Sequence, residues 1–549
     1  MATHLVNLDA LIQRSDFEAG SDTTSQSRRL GNEVEIGELE NTYLHLLKKP
    51  DFQRTTNSWG PDRVTDFIKS FLDGDLIPAI IMWRSQQSGD FFVIDGAHRL
   101  SALLAWVHDD YGHGKISQEF WGYSIEPTQR RLALATKEVI EKDIGAYGLL
   151  KQVLQDHSRA RDETMLLRAK NMAAFKIDLQ WVEGNAKNAE RSFFRINGSA
   201  SIIDPTELEI IKARKKPNAI ATRALMNSGM GHKYWSDFPN DTSSKIEQTA
   251  KITYDSLFKP ILQTPIKTMD LPIAGQGYSE NAFKMIFDLV NMVNGITPAM
   301  WESQPPSKRA KKQESPLLQD DVDGEATLKF LNAVKNAAFL VSGNYAGSLG
   351  LHPVVYFYSQ SGRFQPAALL STIKFFRELE EQDRLFDFTT HRNEFEEYLV
   401  SHRHFVSELG HAYGSRQRPL EPLVLMYRVI LGEIGKGVTD HDKITSVLTK
   451  TPRLTTLEAK SGKEQRPTRR KAFSKDEKSQ AFIRSAIDSP IRCSVCGARM
   501  HAQGFNFDHV TRKQDGGMGN SDNASPTHYY CNTGYKEKLN FIKIVSQSR

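Results

Sequence analysis

The amino-acid sequence predicts a multidomain α+β protein with an α/β N-terminal region, a helical middle region and a small metal-stapled C-terminal module. The chain has 549 residues, and a chain of this length usually forms roughly three to four domains. Apolar residues recur at three- and four-residue spacing through 326–450 and much of 131–300, as in helices with one buried face. All three cysteines lie between positions 493 and 531, where they suit a metal site better than a disulfide framework.

The local amino-acid composition predicts where the domains are separated by linkers. Two polar stretches, 301–325 and 451–480, lack the apolar residues that would offset the entropy lost on ordering, and they are predicted to be linkers. The predicted domains are an N-terminal domain, a helical extension, a helical domain and a C-terminal module, over 1–215, 216–300, 326–450 and 481–549.

Charge is distributed unevenly along the chain. Residues 451–549 hold 18 Lys and Arg against 9 Asp and Glu, whereas 1–450 holds 53 against 57, so the net charge of +5 arises from the C-terminal end. A basic C-terminal end of this kind is typical of proteins that bind the phosphate backbone of a nucleic acid, and a solvated basic linker is the alternative. No apolar run approaches the roughly 20 residues of a membrane span, and His4 and Asp9 interrupt the start of the chain where a signal peptide is apolar. We therefore expect a cytoplasmic protein with no membrane partner.

Two short motifs near the C-terminus have the spacing of metal ligands. In CSVCG, Cys493 and Cys496 are separated by two residues and followed by glycine, which favours a tight knuckle with both sulfurs facing one ion. THYYC repeats the gap with His528 and Cys531. We expect these four residues to bind one structural zinc ion as a Cys3His set. The alternatives are packed cysteines beside an unrelated histidine, and a His528 that serves a catalytic ion instead.

The segment between these motifs predicts a strand and a loop. FNFDHV alternates apolar and polar residues, as in a half-buried strand, and contains the pair Asp508 and His509. A glycine-rich turn, QDGGMGN, then Asn523 and a basic helical segment from Asn532 follow. This order resembles the zinc-stapled HNH endonucleases, which have a ββα-metal core, over roughly 491–540.

The HNH resemblance implies a role for each polar residue of the segment. His509 would be the general base, Asp508 would hold a catalytic divalent cation, Mg²⁺ or Mn²⁺, and Asn523 would orient the base and its loop. Asn532 stands at the last motif position, which is often a histidine, and is implied as a further catalytic and metal-binding residue. Lys536 lies one residue beyond the usual spacing. Phosphodiester hydrolysis needs a deprotonated water and neutralised phosphate charge, and an imidazole and a hard cation supply them.

A second candidate site lies where the predicted strand DFFVID meets a helix. Asp95 and Gly96 form the turn, and a helix is predicted from His98 to Trp106. The free N–H groups at the start of this helix, beside His98 and Arg99, would form a phosphate cradle. The alternative is an ordinary strand–turn–helix joint that only packs.

Three features precede this turn along the chain: Gln53-Arg54, Trp59 and Ile77-Pro78. In this order they resemble the ParB/sulfiredoxin-like superfamily, and within it the GmrSD-type and phosphorothioate-sensing restriction enzymes, over roughly 33–215. Later, FFRINGSASIIDPTEL resembles the family's Phe-x-x-x-Asn segment. Ala97 stands where this branch usually has glutamine. The resemblance implies nucleotide (NTP) binding, with hydrolysis and DNA sensing as further activities of the branch. It assigns six residues to the nucleotide: Arg54, Asp95, Gly96, His98, Arg99 and Asn197.

Taken together, the two resemblances predict a metal-dependent HNH endonuclease that cuts phage or modified DNA under the control of an N-terminal nucleotide-binding or modification-sensing module. Anti-phage defence or restriction is the expected setting. One alternative is a ParB-like DNA-binding or partition protein with a non-catalytic zinc module, and another is an RNA-directed nuclease. The sequence leaves the oligomeric state open.

Overall fold

The computed structural model describes residues 5–15, 17, 31–53, 55–123, 125–200, 205–277, 279–297, 318–343, 345–414, 419–459 and 472–539. Arg54, most of the first predicted linker (301–325) and residues 460–471 of the second (451–480) lie outside these residues. The described parts of the second contain a 3-10 turn over Thr455–Ala459 and the start of a helix at Lys475, so they are more regular than the linker prediction expected. The chain divides into two compact units. The first comprises Met1–Arg214 with Met230–Tyr234, and the second comprises Lys215–Gly229 with Trp235–Arg549.

A six-stranded mixed sheet forms the centre of the first unit. Its strands are β1 (Arg14–Ser15), β2 (Glu33–Glu35), β3 (Leu47–Pro50), β4 (Ile80–Arg84), β5 (Phe91–Asp95) and β6 (Lys176–Trp181). They lie in the order β1-β3-β5-β4-β6-β2. β3 is parallel to β1 and β5, β4 is antiparallel to β5 and parallel to β6, and β2 is antiparallel to β6. Aromatic and β-branched residues dominate β4 and β5, as expected for central strands.

Helices surround this sheet. They are α1 (Thr42–Leu46), α2 (Pro61–Asp73), α3 (Ala97–Val107), α4 (Lys115–Phe120), α5 (Pro127–Asp143), α6 (Tyr147–Gln155), α7 (Glu163–Ala174), α8 (Ala186–Ala200) and α9 (Pro205–Lys212). α2 begins with Pro61 in its first turn and ends at Gly74, whose φ of 83° is left-handed. α3 is apolar on nearly every side and is buried along most of its length, with Leu100, Leu103 and Leu104 in the core. It therefore holds the turn after β5 firmly in place.

The second unit is mainly helical. Its helices are α10 (Pro217–Met226), α11 (Asn240–Phe258), α12 (Glu280–Val293), α13 (Glu325–Ser342), α14 (Pro353–Tyr356), α15 (Pro366–Glu381), α16 (Leu385–Thr390), α17 (Arg392–Ser401), α18 (His404–Tyr413), α19 (Leu420–Gly435), α20 (His441–Lys450) and α21 (Lys475–Ala486). Within the region predicted to be helical, 326–450, the chain is interrupted between α17 and α18. The break lies at His402 and Arg403. Here the Arg403 guanidinium donates hydrogen bonds to three backbone carbonyl oxygens of residues 354–359.

The C-terminal segment adds a small hairpin to this unit. β7 (Asn506–His509) pairs antiparallel with β8 (Ala524–Thr527), and a π-helical turn over Cys531–Tyr535 follows. The structure therefore confirms the predicted multidomain α+β fold, with an N-terminal α/β sheet, a helical middle region and a small Cys/His module. Among the residues described above, no helix combines the length and the apolarity that crossing a bilayer requires.

Candidate metal centre

The two cysteine motifs meet in one cluster. The donor atoms of Cys493, Cys496, His528 and Cys531 all lie within 4.8 Å of one another, and only Cys496 is more than marginally exposed. The first knuckle closes when the N–H of Gly497 donates to the carbonyl oxygen of Cys493 at 2.8 Å. Gly497 has a left-handed φ of 73°, which explains the glycine of CSVCG. The four residues can hold a metal ion, and their donor set is that of a structural zinc site.

Hydrogen bonding decides which nitrogen of His528 faces the sulfurs. Nε2 lies 3.2 Å from the carbonyl oxygen of Arg499, an acceptor, so this nitrogen carries the proton. Nδ1 lies 3.4 Å from Sγ of Cys496 and 3.8 Å from Sγ of Cys531. Burial lowers the pKa of His528, which favours the neutral imidazole that metals bind. The structure thus places His528 with the cysteines.

Contacts among the thiols separate their pKa values. Hydrogen bonding to Cys496 lowers the pKa of Cys493, whereas contact with Cys493 raises the pKa of Cys496 to about 12 and raises that of Cys531 as well. Three neighbouring thiolates repel one another in a buried site, so a bound cation is required before all three lose their protons. The cluster therefore fits a resident Zn²⁺, and binding of that ion releases thiol protons.

Buried charges attach the cluster to α17, and no motif in the sequence pointed to them. Arg499 is fully buried, and its guanidinium donates to both carboxylate oxygens of Glu397, at 3.0 and 3.2 Å. Arg392 is also fully buried and donates to Glu396 at 2.8 Å. Glu396 accepts a further hydrogen bond from the backbone N–H of Arg499, at 3.2 Å. Glu397 is partly exposed, whereas Arg392 and Glu396 are both buried, and breaking a buried pair is costly because one charge stays behind unpaired. These contacts therefore fix the cluster on the helical region.

Asp508 and His509 end strand β7. Asp508 lies opposite Ser525 and His509 lies opposite Ala524 in the hairpin. Oδ1 of Asp508 accepts the backbone N–H of His509 at 2.8 Å, and Oδ2 forms an ion pair with the Lys536 ammonium group. Both residues of the Asp508–His509 pair are half-buried, so their side chains are held by the hairpin while remaining accessible.

Lys536 reaches Asp508 because of the π-helical turn over Cys531–Tyr535. A π turn holds one residue more than an α-helical turn, so it absorbs the extra residue between Asn532 and Lys536. Nζ of Lys536 also lies 3.4 Å from the carbonyl oxygen of His509. The Lys536 ammonium group therefore contacts the Asp508 carboxylate at the position where the sequence resemblance implies a divalent cation.

Asn523 fastens the loop that follows His509. Its Oδ1 accepts the N–H of Thr511 at 2.6 Å, and its Nδ2 donates to the carbonyl oxygens of Thr511 and Met518 at 3.0 and 2.8 Å. Gly517 is required in this loop, since a Cβ there would lie 1.9 Å from the carbonyl oxygen of Thr511. The Asn523 side chain thus links Thr511 to Met518 across the loop, with both its oxygen and its nitrogen in hydrogen bonds.

Asn532 lies beside β7. Its Nδ2 is 3.5 Å from the carbonyl oxygen of Phe507, the residue before Asp508. The backbone N–H of Asn532 donates to the carbonyl oxygen of His528 at 3.0 Å. Asn532 therefore links the zinc-type cluster to the strand that carries Asp508.

In the first unit, Asp95 ends β5 and Gly96 leads into α3. Gly96 has a left-handed φ of 94°, and a Cβ there would lie 2.7 Å from Ile80 Cδ1 and 2.9 Å from an Arg99 nitrogen. Arg99 donates to the Asp95 carboxylate at 2.8 Å and to the carbonyl oxygen of Ala79 at 3.1 Å. Its Nε is buried and has no hydrogen-bond partner among the described residues. This end of α3 therefore combines a partly unsatisfied guanidinium with the start of a helix, which suits an anion.

His98 extends the same surface. Its Nε2 lies 2.7 Å from Oγ of Ser58, and its ring stacks on Trp59 with centroids 5.6 Å apart. The guanidinium of Arg63 lies 4.8 Å from the Trp59 ring centroid. Asn197 belongs to α8, which packs against β5, but its side chain and the whole of Arg54 lie outside the described residues.

A buried charge cluster supports the segment around Gln53, and it too escaped the sequence analysis. Asp9, Arg14 and Lys49 are buried, and Asp9 pairs with both cations. Asp9 also accepts the backbone N–H of Thr56 at 2.9 Å. Burial lowers the pKa of Lys49 to about 8. In the sequence, the only indication of this cluster was Asp9, a charged residue among the apolar residues Leu8, Ala10 and Leu11.

Comparison with known proteins supports one of the two resemblances. Residues 36–291 match a protein family described as the N-terminal domain of the GmrSD restriction endonuclease. This match confirms the similarity of the N-terminal part to GmrSD-type restriction enzymes and covers the Asp95–Arg99 turn. It ends well before the cysteine cluster, so it does not extend to the HNH-like segment. No curated protein and no solved structure matches the chain.

Proposed function

We propose that this chain is a metal-dependent HNH-type endonuclease that cuts DNA and is controlled by its N-terminal unit, in restriction or defence against phage. One observation carries the proposal: Asp508 and His509 lie on a hairpin, β7 and β8, that is followed directly by His528 and Cys531 of the Cys3His cluster. The similarity of 36–291 to a restriction endonuclease domain supports DNA as the substrate.

In this proposal His509, Asn523 and the zinc-type cluster have different roles. His509 accepts a proton from a water molecule, whose oxygen bonds to phosphorus while the bond to the leaving oxygen breaks. Asn523 keeps the loop after His509 in one conformation, so the imidazole does not have to be ordered during the reaction. The zinc-type cluster takes no direct part in the chemistry and holds the hairpin against the helical region.

A catalytic cation would be held by Asp508 and Asn532. When bound, a Mg²⁺ or Mn²⁺ ion supplies neutralisation of charge on the phosphate and the leaving oxygen. The ion pair between Lys536 and Asp508 supports this assignment, because it places positive charge on that carboxylate. A cation held by Asp508 would take the place of the Lys536 ammonium group, which would then be available to the phosphate.

The N-terminal unit would supply control. Arg99 and the start of α3 suit a phosphate, and the stacked Trp59 and His98 rings offer a flat surface beside it. A nucleotide or a modified DNA base bound here changes the nuclease only if it has different affinities for the active and resting arrangements. The proposed ligand is an NTP or modified DNA.

The test is cleavage by the purified full-length chain. Modified phage DNA, unmodified plasmid and RNA are each incubated with Mg²⁺ or Mn²⁺, with and without each NTP. We expect cleavage of DNA by the parent, and a loss of about 10²–10⁴-fold in His509→Ala, as is usual when a general base is removed. Asp508→Asn should lose activity similarly. His157→Ala, which removes an exposed histidine of the first unit, is the matched control and should cut normally.

Two results would overturn parts of this proposal. Parent-like rates in both His509→Ala and Asp508→Asn would show that the HNH assignment is wrong. Cleavage of RNA alone would replace DNA as the substrate. For the regulatory part, Arg99→Ala should change the response to NTP or to DNA modification while leaving unstimulated cleavage intact, and an unchanged response would exclude that role for the α3 site.

A further inference from the structure

A cavity of about 740 Å³ opens within the second unit. The first half of α12, the turn over 359–365, the start of α15, and parts of α18 and α21 form its walls. Its volume is in the range of small-molecule sites, roughly 300–1,000 Å³. It lies apart from the residues assigned above to cleavage.

Arg403 lines this cavity and is only 8% exposed. Its Nη2 donates to the carbonyl oxygens of Val354, Tyr358 and Ser359, at 2.9, 3.1 and 3.0 Å. Its Nε is buried without a hydrogen-bond partner, and no carboxylate of the described residues forms an ion pair with it. Burial lowers the pKa of Arg403 to about 10, so the guanidinium is still cationic at neutral pH. A buried cation whose charge is not balanced stabilises an anion placed beside it.

The rest of the described wall holds two further cations and one carboxylate. Lys284 and Arg363 line the cavity together with the imidazoles of His404 and His411, whereas Asp288 is the one carboxylate among its lining residues. Arg363 forms an ion pair with Asp476, which is exposed to solvent and lies at the start of α21. The cavity therefore has an excess of positive charge.

The start of α15 adds to this field. α15 has 16 residues, Pro366 and Ala367 occupy its first positions, and its N-cap residue Gln365 makes no side-chain hydrogen bond to the helix. The amide of Gln365 instead donates to Oγ of Ser407 at 2.7 Å. Pro366 has no N–H, and the N–H of Ala368 donates to the carbonyl oxygen of Gln365 at 3.0 Å. The partial positive charge of this helix start is therefore carried mainly by the N–H of Ala367. Gln365, Pro366 and Ala367 all line the cavity, so this helix end contributes to its positive field.

Apolar side chains complete the wall: Met285, Phe364, Leu370, Val406 and Pro419. We propose that this cavity binds a small organic phosphate of the size of a mononucleotide, with the phosphate near Arg403 and Ala367 and a flat apolar group against Phe364. The site is additional to the α3 surface of the first unit, and its occupation does not depend on whether the chain cleaves DNA. Its volume of about 740 Å³ is that of a small-molecule site, which favours a single nucleotide over a continuous nucleic-acid strand.

Direct binding to the full-length chain tests this site. Isothermal titration with ATP, GTP, CTP, UTP, inorganic phosphate and a short single-stranded oligonucleotide provides the affinities. Ala367→Glu places a carboxylate at the second position of α15, where acidic residues favour helices, so the fold is expected to tolerate it. We expect it to weaken binding of the preferred nucleotide by roughly tenfold or more, through charge repulsion and lost space. Thr128→Glu, at the second position of α5 after Pro127, is the matched control and should bind like the parent.

The comparison variants separate this site from the α3 surface. Nucleotide binding that survives Arg99→Ala and is lost in Ala367→Glu supports the proposal. Binding that is lost in Arg99→Ala and unchanged in Ala367→Glu would place the nucleotide in the first unit and overturn it. The absence of binding by every nucleotide, phosphate binding as tight as that of the nucleotides, or an oligonucleotide as the only ligand sensitive to Ala367→Glu would overturn it as well.

Discussion

The ion pair between Lys536 and Asp508 leads to a prediction about cation affinity. If Asp508 is the ligand of the catalytic cation, a divalent ion must displace the Lys536 ammonium before it binds. Lys536→Met keeps much of the volume and the apolar stem but removes the charge. We therefore expect this variant to bind Mn²⁺ more tightly than the parent does, even if it cuts DNA more slowly because the ammonium group is missing from the phosphate.

The size of the effect follows from the surroundings of the pair. The Lys536 and Asp508 side chains are 25% and 16% exposed, so the pair is neither fully solvated nor fully buried. A unit charge pair about 4 Å apart interacts by about 4 kcal/mol at an effective dielectric constant of about 20, and exposed pairs contribute only about 0.2–1 kcal/mol. A value of about 1–2 kcal/mol lies between these limits and corresponds to roughly 5–30-fold tighter Mn²⁺ binding.

The assay is Mn²⁺ titration of zinc-loaded protein, followed by electron paramagnetic resonance of the free ion. Lys538→Met is the control, because Lys538 lies two residues further along and pairs with Asp383 at 2.6 Å instead. It changes the net charge equally, so any long-range electrostatic effect is present in both variants. Equal Mn²⁺ affinities in Lys536→Met and Lys538→Met would refute the reasoning, because they would mean that Lys536 does not compete for the cation at Asp508.

Two further perturbations test the loop and the cluster. In Gly517→Ala, the new Cβ would lie 1.9 Å from a backbone oxygen, so the loop held by Asn523 must shift and the cleavage rate should fall by about tenfold to 10²-fold. The control is Gly519→Ala, whose Cβ meets nothing within 4 Å and which should cut at the parent's rate. Equal cleavage rates in the two variants would contradict the role of the loop. Elemental analysis should find about one zinc per parent chain, and Cys496→Ser should lose the zinc and lower the melting temperature of the second unit, because metal binding is folding energy in such a site. Ser494→Ala, an exposed change in the same knuckle, should retain both, and a zinc-free parent with the same melting temperature would exclude the zinc cluster.

Local spacing was sufficient to predict several features of this protein. A cysteine knuckle is formed by five consecutive residues, so CSVCG and THYYC indicated the metal cluster before any tertiary contact was known. Likewise, periodic apolar residues predicted the helical middle region, since the face that a helix buries depends on residues three and four positions apart. The turn from β5 into α3 was predicted for the same reason, because it needs only a strand, a glycine and a helix start.

The tertiary structure decided what these elements touch. Arg499 and Glu397 are 102 positions apart in the chain, and nothing in the local pattern of either residue indicated that they would form an ion pair. The position of Lys536 was ambiguous from spacing alone, because a single extra residue can extend a loop or be absorbed by a π turn, and hydrogen bonding in the folded chain selected the π turn. The cavity around Arg403 depends on four separate segments of the second unit. A site of this kind arises from packing between distant parts of the chain, where the same local sequence would be compatible with many different partners.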